Sequence, residues 1–430
     1  GWGGYSFLDY IDKTKYDVQV ISPSNHFLFT PLLPSSVVGT LEFRAIQEPV
    51  RTVKGLNAYY QAKAISVDPK SRHILCEDIF NNEQFQIEYD FLLLACGAKT
   101  NTFNTPGIAE REGKEVFFLK HLYHARLIRN RILECFERAA IHMTDEEERD
   151  RLLTFVVVGG GPTNCELVGE LHDFITVDVS KWYPDLVKHI SIHLVERGPR
   201  LLASFDPSIS KIVQNRFEKR NVHLHLGVAV DKFDPDTKDT HLSSGECIPT
   251  GTMVWSAGLQ QVKLIENTPE IIKGPGNRVI VDDFLQVPHE SLDNRVFAIG
   301  DCAINMNKPL APLAQAAAQQ AKYLAKHFNA APAGVGLTKP PELLRQSMAE
   351  PFEYFSLGSL VTFGGFQGAT DLTAMGSPER PKNFGFIYGV LSFFMWRSAY
   401  FLKQNSWTNR MLIPMYWFKS FVLGRDISRF

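Results

Sequence analysis

The segment that most constrains the fold of this 430-residue chain is a glycine-rich turn between an apolar run and a helix-like stretch. Val156-Val157-Val158 leads directly into Gly159-Gly160-Gly161-Pro162-Thr163-Asn164. A buried parallel strand that ends in such a turn places the N-terminus of the next helix against a pyrophosphate. The segment therefore predicts a dinucleotide-binding β-α unit, with ligand contacts at Gly159, Gly161, Pro162 and Thr163.

The residues around this turn indicate which dinucleotide binds. Residues 190–196 read as the next strand, and an acid at its end, Glu196, would bond the adenosine ribose and repel a 2′-phosphate, which favours NADH over NADPH. Arg197 and Arg200 stand nearby and argue in the other direction. Asn164 occupies a fingerprint position where Gly or Ala is usual, so we expect looser packing against the strand. A purely structural glycine turn is the alternative.

A second turn of the same kind, cut short, stands at the start of the chain. Gly1-Trp2-Gly3-Gly4 precedes a helix-like stretch, and residues 18–22 read as the following strand. On this register Gly1 and Gly4 are the second and third glycines of the fingerprint, and Ser22 replaces the acid usual at the strand end. We expect these three residues to contact a second dinucleotide. An ordinary glycine-rich tail is the alternative, and a targeting segment upstream of Gly1 stays open.

Apolar runs alternate with helix-like stretches along the first 330 residues, which predicts a doubly wound α/β architecture. The pattern occurs twice, so we expect two Rossmann-like dinucleotide-binding domains, the NADH domain inserted in the FAD domain, followed by a C-terminal membrane-associating α+β segment. The expected bounds are 1–120 and 271–330 for the FAD domain, 121–270 for the NADH domain and 331–430 for the last segment.

Three strand-to-loop turns fit these two domains. Gly97 follows the strand at residues 91–95 and is expected to face FAD, whereas Gly258 ends a strand of the NADH domain. Asp301 follows the last clear strand, where its carboxylate can face the ribityl and phosphate groups of FAD. Each turn alone is a weak signal, since Gly-Asp is a common turn pair; the combination is more specific.

Composition excludes several kinds of site. The net charge of −2 provides no basic field for nucleic acid. None of the six cysteines forms a close pair in the sequence, which argues against a redox disulfide and against a metal site of the structural zinc kind. No apolar run reaches the roughly 20 residues that a membrane-spanning helix needs.

The last 48 residues carry basic and aromatic side chains together. Residues 383–430 contain six basic residues and one acid, Asp426, interleaved with Trp, Tyr and Phe. Such a pattern predicts a pair of amphipathic helices lying on a membrane surface. A dimerisation face, or helices of the core, is the alternative. The basic residues are Arg397, Lys403, Arg410, Lys419, Arg425 and Arg429.

These segments together resemble the type II NADH dehydrogenases, the alternative NADH:ubiquinone oxidoreductases of the two-dinucleotide-binding flavoprotein superfamily. The specific stretches are the two turns, residues 27–34 (FLFTPLLP) and residues 314–320 (AQAAAQQ), which fit the family's AQxAxQ pattern. The resemblance implies non-covalent FAD, NADH as co-substrate and ubiquinone as acceptor. It adds Pro31, Leu32, Ala314 and Gln315 to the expected FAD contacts.

The AQxAxQ segment also has a direct physical reading. Gln315 and Gln319 are four residues apart and share one helix face, and Pro312 marks a helix start whose N-terminus would stabilise negative charge on reduced flavin. The resemblance implies that the face with Gln315, Ala318 and Gln319 meets isoalloxazine and quinone, and that Glu166 lies near the nicotinamide–flavin contact. The alternatives are an alanine-rich packing helix and a salt-bridged helix residue.

The sequence therefore predicts a non-proton-pumping NADH:quinone oxidoreductase, peripheral on the mitochondrial inner membrane, with a bacterial plasma membrane as the alternative location. Glu166, Gln315 and Gln319 are its expected catalytic residues. We expect a homodimer, or membership of a larger respiratory assembly. The alternatives are an NADH-dependent flavoprotein reductase with a protein acceptor and an NADH-sensing flavoprotein of the apoptosis-inducing-factor kind.

Overall fold

The structure is a computed structural model that describes residues 1–429 of the chain. Short strands and two helices make up the first 120 residues, in agreement with the alternating apolar pattern. These elements are α1 (Trp2–Tyr10), β1 (Gln19–Ile21), β2 (His26–Leu28), α2 (Leu33–Val37), β3 (Gln47–Pro49), β4 (Ala58–Tyr60), β5 (Ala62–Asp68), β6 (His73–Asp78), β7 (Gln84–Glu88), β8 (Leu92–Leu94), β9 (Lys99–Thr100) and β10 (Val116–Phe118).

The inserted part of the chain follows as a second α/β unit. Its elements are α3 (Leu122–Ala139), α4 (Glu146–Leu152), β11 (Thr154–Val158), α5 (Pro162–Phe174), α6 (Ser180–Trp182), β12 (Ser191–Glu196), α7 (Pro207–Glu218), β13 (Val222–Leu226), β14 (Val230–Phe233), β15 (Asp239–Leu242), β16 (Cys247–Pro249), β17 (Thr252–Trp255) and β18 (Leu259–Gln260). A parallel five-stranded sheet runs in the order β10-β17-β11-β12-β13. All of β11 is buried, as expected for a parallel strand covered on both faces.

The chain then returns to the first unit. Its elements there are α8 (Lys263–Glu266), β19 (Val279–Val281), β20 (Val296–Ala298), β21 (Ala303–Asn305) and α9 (Ala314–Ala330). Strand β20 pairs in parallel with β8, and α9 packs on α1. The first unit is therefore built from two segments of the chain that lie before and after the second unit. The expected insertion of one domain in the other is confirmed.

Two elements belong to a different unit from the one that the domain bounds predicted from the sequence assign them to. Strand β10, expected in the first unit, is the edge of the second unit's sheet. Helix α8, expected in the second unit, packs in the first: Leu264 and Ile265 share a buried cluster with Leu94 and Val296. Both elements are short connections whose side chains alternate little, so the apolar pattern could not assign them.

The C-terminal part combines a small antiparallel sheet with two helices. Its elements are α10 (Glu342–Gln346), β22 (Ser359–Thr362), β23 (Gly368–Asp371), β24 (Phe386–Gly389), α11 (Val390–Leu402) and α12 (Trp407–Leu423). Strands β22 and β23 pair in antiparallel fashion as a hairpin. The helix pair expected over residues 383–430 begins later, because residues 386–389 form a third strand that Gly389, with a φ of 100°, turns into α11.

Arg425, just beyond α12, connects all three parts of the molecule. Its Nη1 lies 3.0 Å from Asp178 Oδ2, its Nη2 lies 3.1 Å from Glu170 Oε2, and its Nε donates to Thr40 Oγ1 at 2.8 Å. Asp178 stands in the π-helical turn Ile175–Val179 that prolongs α5, where it is only 3% exposed. Two acids of the NADH unit therefore depend on a cation from the C-terminal part.

A glycine sets the distance between α5 and the C-terminal hairpin. A Cβ at Gly169 would lie 2.4 Å from the carbonyl carbon of Phe363 and 2.5 Å from the nitrogen of Gly364. Real Cβ atoms do not approach backbone so closely, so this contact requires glycine. The hairpin consequently rests directly on the helix that begins at the NADH turn.

Candidate functional site

A cavity of about 1830 Å³ runs through the first unit and reaches the second at Thr163. Most of the residues predicted to contact FAD line it, and they come from distant parts of the chain. These are Gly1, Gly4, Ser22, Gly97, Asp301 and Ala314. The fold thus brings the short N-terminal turn, the turn after β8, the turn after β20 and the start of α9 to one space.

The glycines of this cavity leave room for a ligand. A Cβ at Gly1 or Gly97 would meet no protein atom within 4 Å, and Gly97 has a φ of 65°, which favours glycine. Backbone therefore faces open space at these turns, as close approach to a pyrophosphate requires. The size and lining of the cavity fit FAD.

Pro31 and Leu32 are placed differently from the other expected FAD contacts. They lie in a 3₁₀ turn over residues 30–32, and Leu32 is fully buried in the main core. Their neighbours Thr30 and Leu33 line the cavity instead. The tightness of the turn explains the difference, because it directs the Leu32 side chain inward.

Several cavity residues were missed by the sequence analysis. Lys120 Nζ lies 3.8 Å from Asp301 Oδ2, and the next residue, His121, also lines the cavity. Burial lowers the pKa of His121 to about 4, so its ring is neutral at pH 7. Both residues lie in the segment that connects the two units. Their position at this junction was the signal in the sequence that could have marked them as cavity residues.

The NADH turn is braced by the residue that departs from the fingerprint. Asn164 is 1% exposed, and its Nδ2 donates to the carbonyl oxygens of Val158 and Gly159, both at 2.8 Å. The looser packing expected for Asn164 is not what the structure has. The side-chain amide donates hydrogen bonds to two carbonyl oxygens at the end of the strand. A glycine at this position would leave both carbonyls in need of another donor.

Glu196 stands at the end of β12, beside the same turn. Its carboxylate oxygens accept hydrogen bonds from the backbone nitrogens of Gly160 and Gly198. A Cβ at Gly161 would meet no protein atom within 4 Å, which leaves the helix N-terminus of α5 open to a ligand. The acid and the open glycine are thus arranged as a dinucleotide fingerprint requires.

The two arginines near Glu196 differ in their surroundings. Arg200 donates to the carbonyl oxygens of Phe205 and Ala203 and to Ser210 Oγ, so its guanidinium is held away from the turn. Arg197 is exposed. The orientation of Arg200 removes much of the argument against NADH.

The two strand-to-loop turns of the nucleotide units meet. Just beyond Gly97 and Gly258, which both have a positive φ, strands β9 and β18 pair in antiparallel fashion, with Thr100 opposite Leu259. A Cβ at Gly258 would lie 2.3 Å from the Phe103 ring, so this crossing is closely packed. The pairing fixes the two turns relative to each other at the junction of the units.

Glu166 lies on α5 and is nearly fully buried, with 6% exposure. Its Oε1 accepts a hydrogen bond of 2.9 Å from Trp396 Nε1 and a longer one of 3.4 Å from the backbone nitrogen of Thr362. Burial raises the pKa of this carboxyl to about 8, although both hydrogen bonds favour the charged form. Glu166 therefore holds a proton near neutral pH.

Aromatic rings connect Glu166 to the wall of the cavity. Trp396 packs edge-on against Tyr400 at 4.8 Å, and Tyr400 packs edge-on against Phe29 at 5.8 Å. Phe29 contacts Trp2, which lines the cavity. Burial, and the nearby carboxyl of Glu166, raise the pKa of Tyr400. Helix α11 of the C-terminal part thus contacts Glu166 on α5 and, through these rings, the wall of the cavity.

The start of α9 reaches the cavity, but Gln315 and Gln319 face elsewhere. Pro312, Ala314 and Ala317 line the cavity. Gln315 donates to Gly358 O at 3.3 Å and accepts from Leu357 N at 3.2 Å, whereas Gln319 makes the same pair of bonds with the backbone of Phe355, at 2.8 and 3.0 Å. Both amides thus bind the backbone of residues 355–358 to α9. Ala318, next to Gln319 on the helix, is half-buried.

A third glutamine of this helix was not singled out by the sequence analysis. Gln320 is 8% exposed, and its Oε1 accepts a 2.7 Å hydrogen bond from the nitrogen of Gly300. It therefore fixes the turn that presents Asp301 to the cavity. Its signal was present in the sequence, since the AQAAAQQ segment has a second glutamine next to Gln319.

The outer surface of α11 and α12 is strongly apolar. Many of its large apolar side chains are more than half exposed: Leu391, Phe394, Leu402, Trp407, Met411, Met415, Phe418, Phe421, Val422 and Leu423. Within residues 1–429, no helix has the length and apolar character that crossing a bilayer demands. A patch of this kind marks a surface that is covered by another body.

Two of the basic residues expected beside this patch face inward instead. Arg425 is taken up by Glu170 and Asp178, and the Arg397 guanidinium lies 4.5 Å from the Phe393 ring and 4.6 Å from the Trp417 ring. Burial lowers the pKa of Arg397 to about 10. The charge available at the surface is therefore smaller than the sequence count indicates.

Comparison with known proteins gives a consistent result. Residues 1–321 match the family model described as pyridine nucleotide-disulphide oxidoreductase, and residues 357–426 match the NDH2 C-terminal domain. A probable NADH dehydrogenase of Dictyostelium discoideum is 40% identical over 434 residues, covering 100% of this chain and 90% of the relative. The external NADH-ubiquinone oxidoreductase 2, mitochondrial, of Saccharomyces cerevisiae is 35% identical, covering 100% and 81%.

A solved structure extends this likeness to the whole fold. NDH2 from Plasmodium falciparum in complex with NADH superposes with a TM-score of 0.87 at 28% identity, covering 100% of this chain and 98% of that one. The match includes the C-terminal part, where the sequence pattern was least regular.

Proposed function

This chain belongs to the type II NADH dehydrogenases, and from that membership we infer how its residues divide the work of an NADH:ubiquinone oxidoreductase. The enzyme oxidises NADH and reduces ubiquinone without pumping protons. FAD, when bound, supplies the two-electron carrier between the two substrates. The observation that carries the assignment is the cavity that joins the two nucleotide turns, from Gly97 on one side to Thr163 on the other.

On the FAD side, we assign the diphosphate to the glycine turns and the ribityl chain to Asp301. Gly1, Gly4 and Gly97 offer backbone without side chains, and Ser22 lies at the end of β1, where adenosine is expected. The N-terminus of α9, with Ala314 and Ala317 at the wall, directs partial positive charge into the cavity. That charge favours an electron-rich ring system over an electron-poor one.

On the NADH side, Gly159, Gly161, Pro162 and Thr163 form the proposed pyrophosphate site, and Glu196 is the proposed acceptor for ribose hydroxyls. Glu196 is already held in place by two backbone N–H groups. Gly258 stands where β9 and β18 pair at the junction between the units, and we propose that the nicotinamide end of NADH lies near it. Hydride transfer then depends on stacking and positioning more than on an acid or a base.

Glu166 is assigned a positioning and proton-holding role near the nicotinamide. With a pKa of about 8 it is protonated at neutral pH, so it presents a neutral, hydrogen-bonding wall. A neutral carboxyl does not oppose negative charge that arises nearby during reduction. Trp396 fixes its orientation from the C-terminal helix pair.

The quinone site is proposed at the face of α9 with Gln315, Ala318 and Gln319. The two amides hold the segment 355–358, which carries the half-exposed side chains of Phe355 and Leu357. This apolar cover adjoins the C-terminal part. A quinone headgroup arriving from a membrane would therefore meet apolar side chains first and the glutamine amides next.

The apolar patch of α11 and α12 is proposed to rest on a bilayer surface. Trp407, Met411, Met415, Phe418 and Val422 form one exposed stripe along α12, which is the arrangement of a helix lying in an interface. The relatives are mitochondrial by name, so we propose the mitochondrial inner membrane as the location. A homodimer, or a place in a larger respiratory assembly, stays a prediction, which analytical ultracentrifugation in detergent would test.

Spectroscopy of the purified protein tests the proposed function. NADH added without oxygen should bleach the flavin absorbance, and a short-chain ubiquinone should restore it within the same turnover time as steady-state quinone reduction. Rapid bleaching with no reoxidation by quinone, but reoxidation by a ferredoxin, would indicate the reductase with a protein acceptor. A long-lived charge-transfer band with very slow turnover would indicate the NADH-sensing flavoprotein.

The membrane assignment has its own test. Replacing both Met415 and Phe418 by Asp should abolish flotation with anionic phospholipid vesicles while reduction of a water-soluble electron acceptor continues. The same double change at exposed Phe80 and Met143, which lie outside the patch, is the matched control. Equal flotation of the two variants would refute the assignment.

A further inference from the structure

The tip of the C-terminal hairpin rests on two arginines of the second unit. Residues 364–366 join β22 to β23, and all three have a positive φ. A Cβ at Gly365 would collide with the Nη2 atoms of Arg216 and Arg220. Arg216 stands in the last turn of α7, and Arg220 follows just beyond the helix. Both guanidinium groups therefore lie directly against the hairpin backbone.

The two arginines differ in how their charge is neutralised. Arg220 Nη1 lies 2.9 Å from Asp173 Oδ1, and Asp173 Oδ2 accepts a 2.6 Å hydrogen bond from Gly365 N. Both oxygens of Asp173 are thus engaged. Arg216 Nε is buried without a hydrogen-bond partner, and within residues 1–429 no carboxylate lies at ion-pair distance from its guanidinium. The protein therefore leaves one positive charge unpaired at this turn.

An unpaired arginine in this place has a free-energy cost. Burial, and the neighbouring charge of Arg220, lower the pKa of Arg216, because both disfavour the charged guanidinium. An arginine side chain nevertheless stays charged at neutral pH. A buried donor without an acceptor calls for a partner that the chain does not supply, and the matching partner of a guanidinium is an anion with several oxygens.

The hairpin tip also adjoins the apolar patch of α11 and α12. Phe366 is 49% exposed, and its ring packs edge-on against Phe393 at 5.4 Å and Phe421 at 5.9 Å. A positive φ is uncommon for a bulky residue, and such backbone strain is typical of functional turns. Arg216 contacts Gly365, the residue before Phe366. An unpaired cation and an exposed aromatic ring thus meet in one tight turn, at the border of the patch.

We propose that the site formed by Arg216, Arg220 and residues 364–366 binds one anionic phospholipid of the bilayer. The phosphate pairs with Arg216, whose planar fork matches two phosphate oxygens, and the acyl chains lie beside Phe366 and Phe421. A free phosphate would leave these rings unused. A zwitterionic headgroup is disfavoured because its own cation would lie close to both arginines. The inference rests on the proposed membrane location and adds the class of lipid.

Flotation of the purified holoenzyme with lipid vesicles at low ionic strength tests the proposal. One set of vesicles is phosphatidylcholine alone, and the other contains one part in five of phosphatidylglycerol. Arg216→Gln should lower the partition to the mixed vesicles at least about fivefold. Its partition to the neutral vesicles should equal that of wild type, because the apolar patch is unchanged. An unaltered partition to the mixed vesicles would overturn the proposal.

Lys211→Gln is the matched control, because it removes the same charge from the same helix. Lys211 is exposed and precedes Arg216 by five residues, which places it roughly 140° around α7. We expect its partition to the mixed vesicles to fall by about twofold at most. Equal losses in the two variants would indicate a general electrostatic attraction and would overturn the site.

Inorganic phosphate separates the two sources of the anion. Phosphate at millimolar concentration should not reduce the difference between wild type and Arg216→Gln, when chloride at equal ionic strength is the reference. Loss of the difference in phosphate alone would identify a free-phosphate site and overturn the lipid assignment.

Thermal unfolding without lipid separates binding from a structural role of Arg216. Since this arginine has no ion pair to lose, Arg216→Gln should unfold at the wild-type temperature or above it. A clear fall would show that Arg216 holds the hairpin and would overturn the proposal. Wild type that binds neither kind of vesicle would refute the membrane location as well, whereas equal binding to both kinds would refute only the lipid site.

Discussion

Trp396 Nε1 and Glu166 Oε1 lie 2.9 Å apart, in a hydrogen bond that joins the C-terminal helix pair to the helix that begins at the NADH turn. The carboxyl is buried and its pKa is raised to about 8. An indole donor serves both the neutral and the charged carboxyl, but it stabilises the charged form more. The contact therefore connects the fold of the C-terminal part to the protonation of Glu166.

Replacing Glu166 by Gln should remove a pH dependence of stability. The folded state holds a proton up to about pH 8, whereas the unfolded carboxyl loses it near pH 4.5, so wild-type stability falls as pH rises between these values. The loss between pH 6 and 8 should be about 2 kcal/mol. Chemical denaturation at both pH values measures it, with Glu83→Gln, at an exposed position, as control. Parallel pH curves for wild type and Glu166→Gln would contradict the raised pKa.

Replacing Arg425 by Met should destabilise the enzyme strongly. Glu170 and Asp178 would keep buried charges without their cation, which costs about 3–5 kcal/mol for such groups. Arg429→Met is the matched control, because Arg429 is more than half exposed and its contact with Glu134 is 4.0 Å long. Thermal unfolding should place the first variant well below wild type and the second beside it.

Gly161→Ala should fold normally but bind NADH poorly. The added Cβ meets no protein atom, so stability should change by less than about 1 kcal/mol. The same methyl group enters the space assigned to the pyrophosphate, so the KM for NADH should rise at least about tenfold, which corresponds to ~1.4 kcal/mol. Flavin content should stay unchanged. An unaltered KM would place the nucleotide elsewhere.

Gly169→Ala should have the opposite profile. Its Cβ would lie 2.4 Å from backbone of Phe363, so α5 and the hairpin must separate, at a cost of about 1–3 kcal/mol. We expect a lowered thermal midpoint and a smaller quinone-reduction rate, with the KM for NADH little changed. Comparison with Gly161→Ala under the same buffer separates packing from binding; equal stability of the two variants would refute the close approach.

The dinucleotide units could be predicted because their signals are local. Strand β11, the glycines after it and Glu196 lie within one β-α-β stretch, and each follows from a short-range requirement on backbone or charge. Asn164 shows where such reasoning ends. A family pattern marks it as a departure, but its bonds to the carbonyls of Val158 and Gly159 depend on side-chain direction, which the pattern does not contain.

Contacts between distant segments could not be read from the sequence. Gly97 and Asp301 line one cavity only because β8 and β20 are neighbours, and Glu166 meets Trp396 only because the hairpin rests on Gly169. The count of basic residues in the tail overstated its surface charge for the same reason, since Arg425 finds buried acids in another part of the chain. Composition describes what a segment carries and not where each side chain is used.

The ion cluster of Arg425 has a practical consequence for handling the enzyme. Deleting α11, α12 and the residues after them would leave Glu170 and Asp178 without their cation and expose Glu166 to solvent. The shortened chain should therefore precipitate or be degraded rather than remain as a water-soluble dehydrogenase. A more soluble protein should instead be made by replacing exposed apolar residues of α12, for example Met415 and Phe418, with polar ones, while the inward-facing residues are left unchanged. The C-terminal helix pair is therefore needed for the fold of the other two parts, and only its outer surface is free to change.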